Sequence, residues 1–156
     1  MYATGIVVWS EHIMIPQYQL KRLQWVMNAA ARLVYSSRKF DHVTSLLRQL
    51  HWLKVPERID YKLAVLVYKC QHGSASPYLA DELCRPADIE GRRCLPSASS
   101  PSLIVRRTRL SIVCDRAFPV AASRVWNDLP QHVTAAESLP VFCSRLMTHL
   151  FRRCFP

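Results

Sequence analysis

No stretch of this 156-residue sequence approaches the roughly eighteen consecutive apolar residues of a membrane span, so no membrane-spanning segment is expected. Acidic residues are few, 11 against 21 lysines and arginines, and they are scattered. Phosphoryl chemistry on metal ions needs carboxylates that converge on cations about 4 Å apart. The one adjacent acidic pair, Asp81 and Glu82, points in directions roughly 100° apart if helical, which suits a solvated helix start better than a metal site. Structural zinc sites announce themselves with two ligands two to four residues apart, twice over. Here Cys70 and His72 form a single such pair, and Cys143, His149 and Cys154 fall near one helical face without a second. Two nucleophile pairs can be named, Cys70 with His72 and Ser45 with His42, but neither has a glycine-rich elbow or oxyanion loop beside it. No catalytic residue, metal or cofactor is therefore expected. The six cysteines have no short motif spacing, and the apolar run at 5–9 is followed by Glu11 and His12 with no basic segment before it, unlike a signal peptide. The thiols are read as reduced and the chain as intracellular, nuclear or cytoplasmic.

What is present is enough apolar surface for one ordinary domain, half of all residues, and a mainly α pattern. Leu20, Leu23, Met27, Ala30, Ala31 and Val34 recur at three- and four-residue steps and predict a helix over 17–35 with one apolar stripe. A shorter helix is expected over 43–51, capped by Asp41 or Thr44 and burying Leu46, Leu47 and Leu50. The third has the clearest punctuation: Pro56 in the first turn, Glu57 and Asp60 near the positive end, Lys69 and His72 near the negative end, and Gly73 as a left-handed cap. Trp25, Trp52 and Trp126, each among apolar neighbours, are read as core, with base stacking as the second reading for all three.

The second half changes character. Eight of the ten prolines follow Ser76, and the run PSASSPS at 96–102 reads as a surface loop or linker. The loop-rich middle includes a short β-hairpin expected over 103–113, and two C-terminal helices are expected over 116–129 and 138–153, the last capped by Ser138. Four segments result: an N-terminal piece at 1–19, a helical subdomain at 20–84, a Pro/Ser-rich linker at 85–102 and a basic C-terminal subdomain at 103–156.

The formal charge of +10 favours a polyanionic partner, nucleic acid or an acidic membrane surface, and charge alone does not choose between them. No lysine follows Lys69, and the eleven later basic residues are all arginine, whose planar fork suits phosphate and whose face stacks on bases. Eight of them lie between Arg85 and Arg124, where only three acids, Asp88, Glu90 and Asp115, oppose them. Arg92, Arg93, Arg106, Arg107, Arg109, Arg116 and Arg124 are the candidate contacts to the phosphate backbone of RNA or DNA.

Eight ordered blocks carry a family resemblance: LQWVMNAAARLV at 23–34, FDHVT at 40–44, LHWLKVPERIDYKL at 50–63, VYKCQHG at 67–73, PYLAD at 77–81, RTR at 107–109, DRAF at 115–118 and VWNDLP at 125–130, followed by a closing stretch at 142–151. They resemble the region C-terminal to the polymerase domain in reverse transcriptases of LINE-type (non-LTR) retrotransposons, notably the Jockey group. In that family the palm with its metal-binding aspartates, and the endonuclease, lie upstream of this region. The resemblance implies a thumb-like extension that helps to hold template RNA and target DNA without catalytic residues of its own. It adds Arg32, Lys54, Arg58, Lys62 and Lys69 to Arg107, Arg109, Arg116 and Arg124 as matching basic positions. It also implies a helical face evolved to pack against a polymerase domain or another protein. Two alternatives stay open: a host interaction module that uses that face, and a relic reading frame without selected function.

Overall fold

The computed structural model describes residues 16–83, 102–105 and 117–156. Seven helices run in order through them: α1 Gln17–Val34, α2 Val43–Gln49, α3 Val55–Gln71, α4 Pro77–Glu82, α5 Phe118–Asn127, α6 Gln131–Thr134 and α7 Leu139–Cys154. The mainly α expectation holds, and no strand occurs among the described residues. Of the expected hairpin, residues 103–105 are irregular and the rest lies outside the described residues.

The core is built on α3. Asp60, Ala64, Val67 and Tyr68 recur on one face and are buried, and fully buried Ala64 lets neighbouring backbone approach closely. Against α3 pack α5 and α7. In α5, Val120, Ala121, Ala122, Ser123, Val125 and Trp126 are all buried, so this helix is enclosed nearly all round. In α7 the stripe is Phe142, Leu146, Leu150 and Cys154. Tyr68, Phe142 and Trp126 form an aromatic stack, with ring centroids 4.4 Å apart between the first two and 5.8 Å between the last two. The Tyr68 hydroxyl donates to the Ala136 carbonyl at 3.0 Å. One cluster of buried side chains runs from Ala31 to Phe155, so residues from both sides of the proline-rich middle share it. That middle is bracketed by two buried leucines, Leu83 and Leu103. The Asn127 side chain clamps Leu103: its Oδ1 accepts from the Leu103 amide at 2.8 Å and its Nδ2 donates to the Leu103 carbonyl at 2.9 Å.

Helix ends show where local chemistry departs from expectation. Neither Asp41 nor Thr44 caps α2; His42 stands at the N-cap position with no side-chain bond, and Asp41 accepts instead from the Arg38 amide at 2.7 Å, closing the preceding turn. Ser138 does precede α7, but its hydroxyl makes no cap bond. The first amide of α3, on Val55, is satisfied from a distance by Gln24 Oε1 of α1 at 2.9 Å.

At their other ends α1, α2 and α3 stop in the same way. Gly73 ends α3 at φ +67°, as expected, with the Ser74 amide donating back to the Lys69 carbonyl. Ser36 and His51 take the same left-handed conformation, at φ 49° and 53°, and the amides of Ser37 and Trp52 donate to the carbonyls of Arg32 and Leu47. A residue with a Cβ is disfavoured there by roughly 1 kcal/mol. Ser36→Gly is therefore expected to stabilise the chain by about 0.5 kcal/mol, after the extra freedom that glycine gives the unfolded chain is subtracted. An upward shift of the urea midpoint at unchanged slope checks it.

Candidate nucleic-acid interface

Of the seven arginines singled out in the sequence, Arg92, Arg93, Arg106, Arg107, Arg109 and Arg116 lie outside the described residues. Arg124 is described. It sits half-buried in the last turn of α5, beside the negative end of that helix, and is already engaged within the fold. Several other basic groups also serve the fold. Lys54 donates through Nζ to the Cys154 carbonyl at 3.1 Å and lies over the Phe155 ring. Arg145 donates to the His132 carbonyl, and Arg153 pairs with buried Asp60.

The nucleophile and metal pairs do not come together. The His72 ring stacks on Tyr68 at 3.9 Å and its Nδ1 lies 2.8 Å from the Tyr68 carbonyl, while Cys70 is buried, which pushes its thiol pKa up. Ser45 donates to the carbonyl of His42 rather than to its ring. Cys154 is buried against the Lys54 amide, and burial raises its pKa too. Tyr61 is pushed up to about 12, first by burial and then by its bond with Cys143. His149 is lowered by burial, with the charges of Arg153 and His132 adding to it. No group of three metal-ligating side chains forms among the described residues, and no helix among them is long and apolar enough to cross a membrane.

The surface that the structure does assemble includes Leu23, Trp25 and Val34, which the sequence pattern assigns to the buried side. Helix α1 is apolar on more than one face. Its inward side, through Gln24, Met27 and Ala31, meets α2 and α3, and Ala31 alone in the helix is buried. Leu23, Val26, Leu33 and Val34 are exposed, Leu33 by 80%. Trp25 is 69% exposed, against the expectation of core packing, because it lies about 100° round the helix from Gln24, the residue that faces α3. Trp52 is half-buried and Trp126 is buried, as expected.

Along the stretch of chain that carries this face the charge is nearly all of one sign. From Gln17 to Gln49 the cations are Lys21, Arg22, Arg32, Arg38, Lys39 and Arg48, and the single acid is Asp41. Phe40, next to Lys39, is 92% exposed. Between α1 and the turn after it lies an open groove of about 820 Å³ lined by Trp25, Ala29, Arg32, Leu33, Ser36 and Lys39, among others. The Nε of Arg32 is shut away from solvent there without a hydrogen-bond partner. Exposed aromatic rings among cations on a surface almost free of acid are suited to bases and phosphates, respectively.

Sequence signals for this face were present. Apolar residues occupy both sides of the α1 wheel, which is more than one buried stripe needs, and the chain from 17 to 40 contains no acid. No known protein family, curated protein or solved structure was found to match the chain.

Proposed function

We propose that this protein binds nucleic acid, RNA or DNA, chiefly through the phosphate backbone, and acts by binding rather than by catalysis. The observation that carries this reading is the groove on α1, where Arg32 and Lys39 border the exposed ring of Trp25, in a stretch from Gln17 to Gln49 that carries six cations against one acid. The arginine-rich stretch between Arg85 and Arg124 supports it with further positive charge of the kind best fitted to phosphate. So does the resemblance of the ordered sequence blocks to the region after the polymerase core in LINE-type reverse transcriptases. Under this reading the chain derives from such an element and retains the function of holding nucleic acid.

Titrating the full chain against labelled oligonucleotides of about 15 nucleotides, single-stranded and duplex, tests the reading by anisotropy. Affinity is expected to fall between roughly 50 and 200 mM salt, and three to five phosphate contacts give a log–log slope of about −2 to −4. Reversing Arg22, Arg38 and Lys39 to glutamate is expected to weaken binding at least tenfold. Binding that is absent, or flat with salt, overturns the proposal.

A second reading rests on the same helix. The exposed aliphatic side chains Leu23, Val26, Leu33 and Val34 offer a surface for a protein partner, such as a polymerase domain or a host protein. Substituting Leu23 and Val26 with serine separates the two: a nucleic-acid contact through charge is unchanged, whereas a complex held by the aliphatic face is lost.

A further inference from the structure

We propose that the groove beside Trp25 is a binding site for an unpaired base, which makes single-stranded nucleic acid the preferred class of ligand. The inference rests on the nucleic-acid reading above and adds to it where the base sits and what holds it. Three features converge. The indole of Trp25 is largely exposed at the groove, and Leu33 and Ala29 supply an apolar wall and a small side chain beside it. Arg32 and Lys39 stand on the same lining with Ser36 and Ser37, so cations and hydroxyls border the apolar wall. Among the described residues no carboxylate lines the groove.

An aromatic face beside cations is complementary to a base attached to its phosphate, because the base covers the ring while the phosphate meets the charge. Duplex bases already stack on one another, so only an unpaired base is free to cover Trp25. A second copy of this chain fits less well, because two such faces would bring together Lys21, Arg22, Arg32, Arg38 and Lys39 twice, with one Asp41 each. Arg32 and Lys39, which line the groove, are the cations placed to meet the phosphate of a base seated on Trp25.

The test uses the full chain and four variants, Trp25→Ala, Trp25→Phe, Arg32→Gln and Lys39→Gln, titrated with single-stranded oligouridylate, single-stranded oligothymidylate and a duplex of equal length. Circular dichroism checks the fold, and exposure of Trp25 makes its truncation tolerable there. Trp25→Ala is expected to weaken single-strand binding about tenfold, within the range for loss of one stacked base, and to leave duplex binding unchanged. Trp25→Phe restores most of that affinity, and Arg32→Gln and Lys39→Gln each lower the salt slope by about one contact. Indole fluorescence falls on saturation in the parent and falls less in Trp25→Phe. If salt-dependent binding persists but Trp25→Ala leaves single strands as tightly held as before, or duplex binds as well as single strand, the base site is overturned while the nucleic-acid reading stands. If none of the oligonucleotides binds, both fall. Self-association that Trp25→Ala abolishes, seen by size exclusion without nucleic acid, also overturns the site and assigns the face to a second copy.

Discussion

Phe142→Ala is expected to destabilise the chain by about 3–5 kcal/mol, among the largest effects of side-chain truncation in the described core. Phe142 has no exposed surface, and its ring lies between Tyr68 on α3 and Trp126 on α5. Truncation removes the burial of the ring itself. It also leaves two aromatic faces with no partner, and each such pair contributes about 0.5–1.5 kcal/mol beyond its area. The void cannot close easily, because Tyr68 is tied through its hydroxyl to Ala136 and Trp126 lies on an enclosed helix. Against a typical total of about 5–15 kcal/mol, such a loss removes much of the stability. Urea unfolding followed by far-ultraviolet circular dichroism checks it; a midpoint within error of the parent would show that α3, α5 and α7 do not share this core.

The second large effect is an asymmetry. Asp60 on α3 and Arg153 on α7 form an ion pair in which the Arg153 side chain is 44% exposed and that of Asp60 only 10%. Arg153→Ala strands a buried carboxylate and is expected to cost about 1–3 kcal/mol. Asp60→Asn leaves an arginine that can turn its charged end into water, so its cost should be smaller, within about 1 kcal/mol. Replacing both, Asp60 by leucine and Arg153 by methionine, is expected to bring stability back to within about 1 kcal/mol of the parent, because no charge is left buried. Urea midpoints for the three variants measure this. Equal losses for Arg153→Ala and Asp60→Asn would contradict the account, since it depends on their unequal exposure.

Much of the local structure was legible before the fold. Pro56, Glu57 and Gly73 marked α3 because proline fits a first turn, an acid suits the positive end, and only glycine takes a left-handed cap freely. The α7 stripe of Phe142, Leu146 and Leu150 was equally plain. The ends of α1 and α2 carried no such mark, because Ser36 and His51 adopt the glycine conformation without being glycine. The interface was less legible still. Six of the seven arginines proposed from the sequence lie outside the described residues, while the exposed face of α1 includes Leu23, Trp25 and Val34, which the apolar pattern assigns to the buried side.

Sequence alone determined the α class, the main helices, the positive charge and the small number of acids, because each follows from local periodicity or from counting charges. Only the tertiary structure decided which apolar residues are buried. Trp25 and Trp126 both sit among apolar neighbours in sequence, yet one faces outward and the other touches Phe142. Periodicity specifies that a helix has an apolar side; which side is covered depends on what packs there, and on α1 that is settled by Gln24 meeting the Val55 amide, 31 residues away. The long-range pairing of Asp60 with Arg153 is of the same kind: the charges are visible in the sequence, but their meeting depends on α3 and α7 sharing one core.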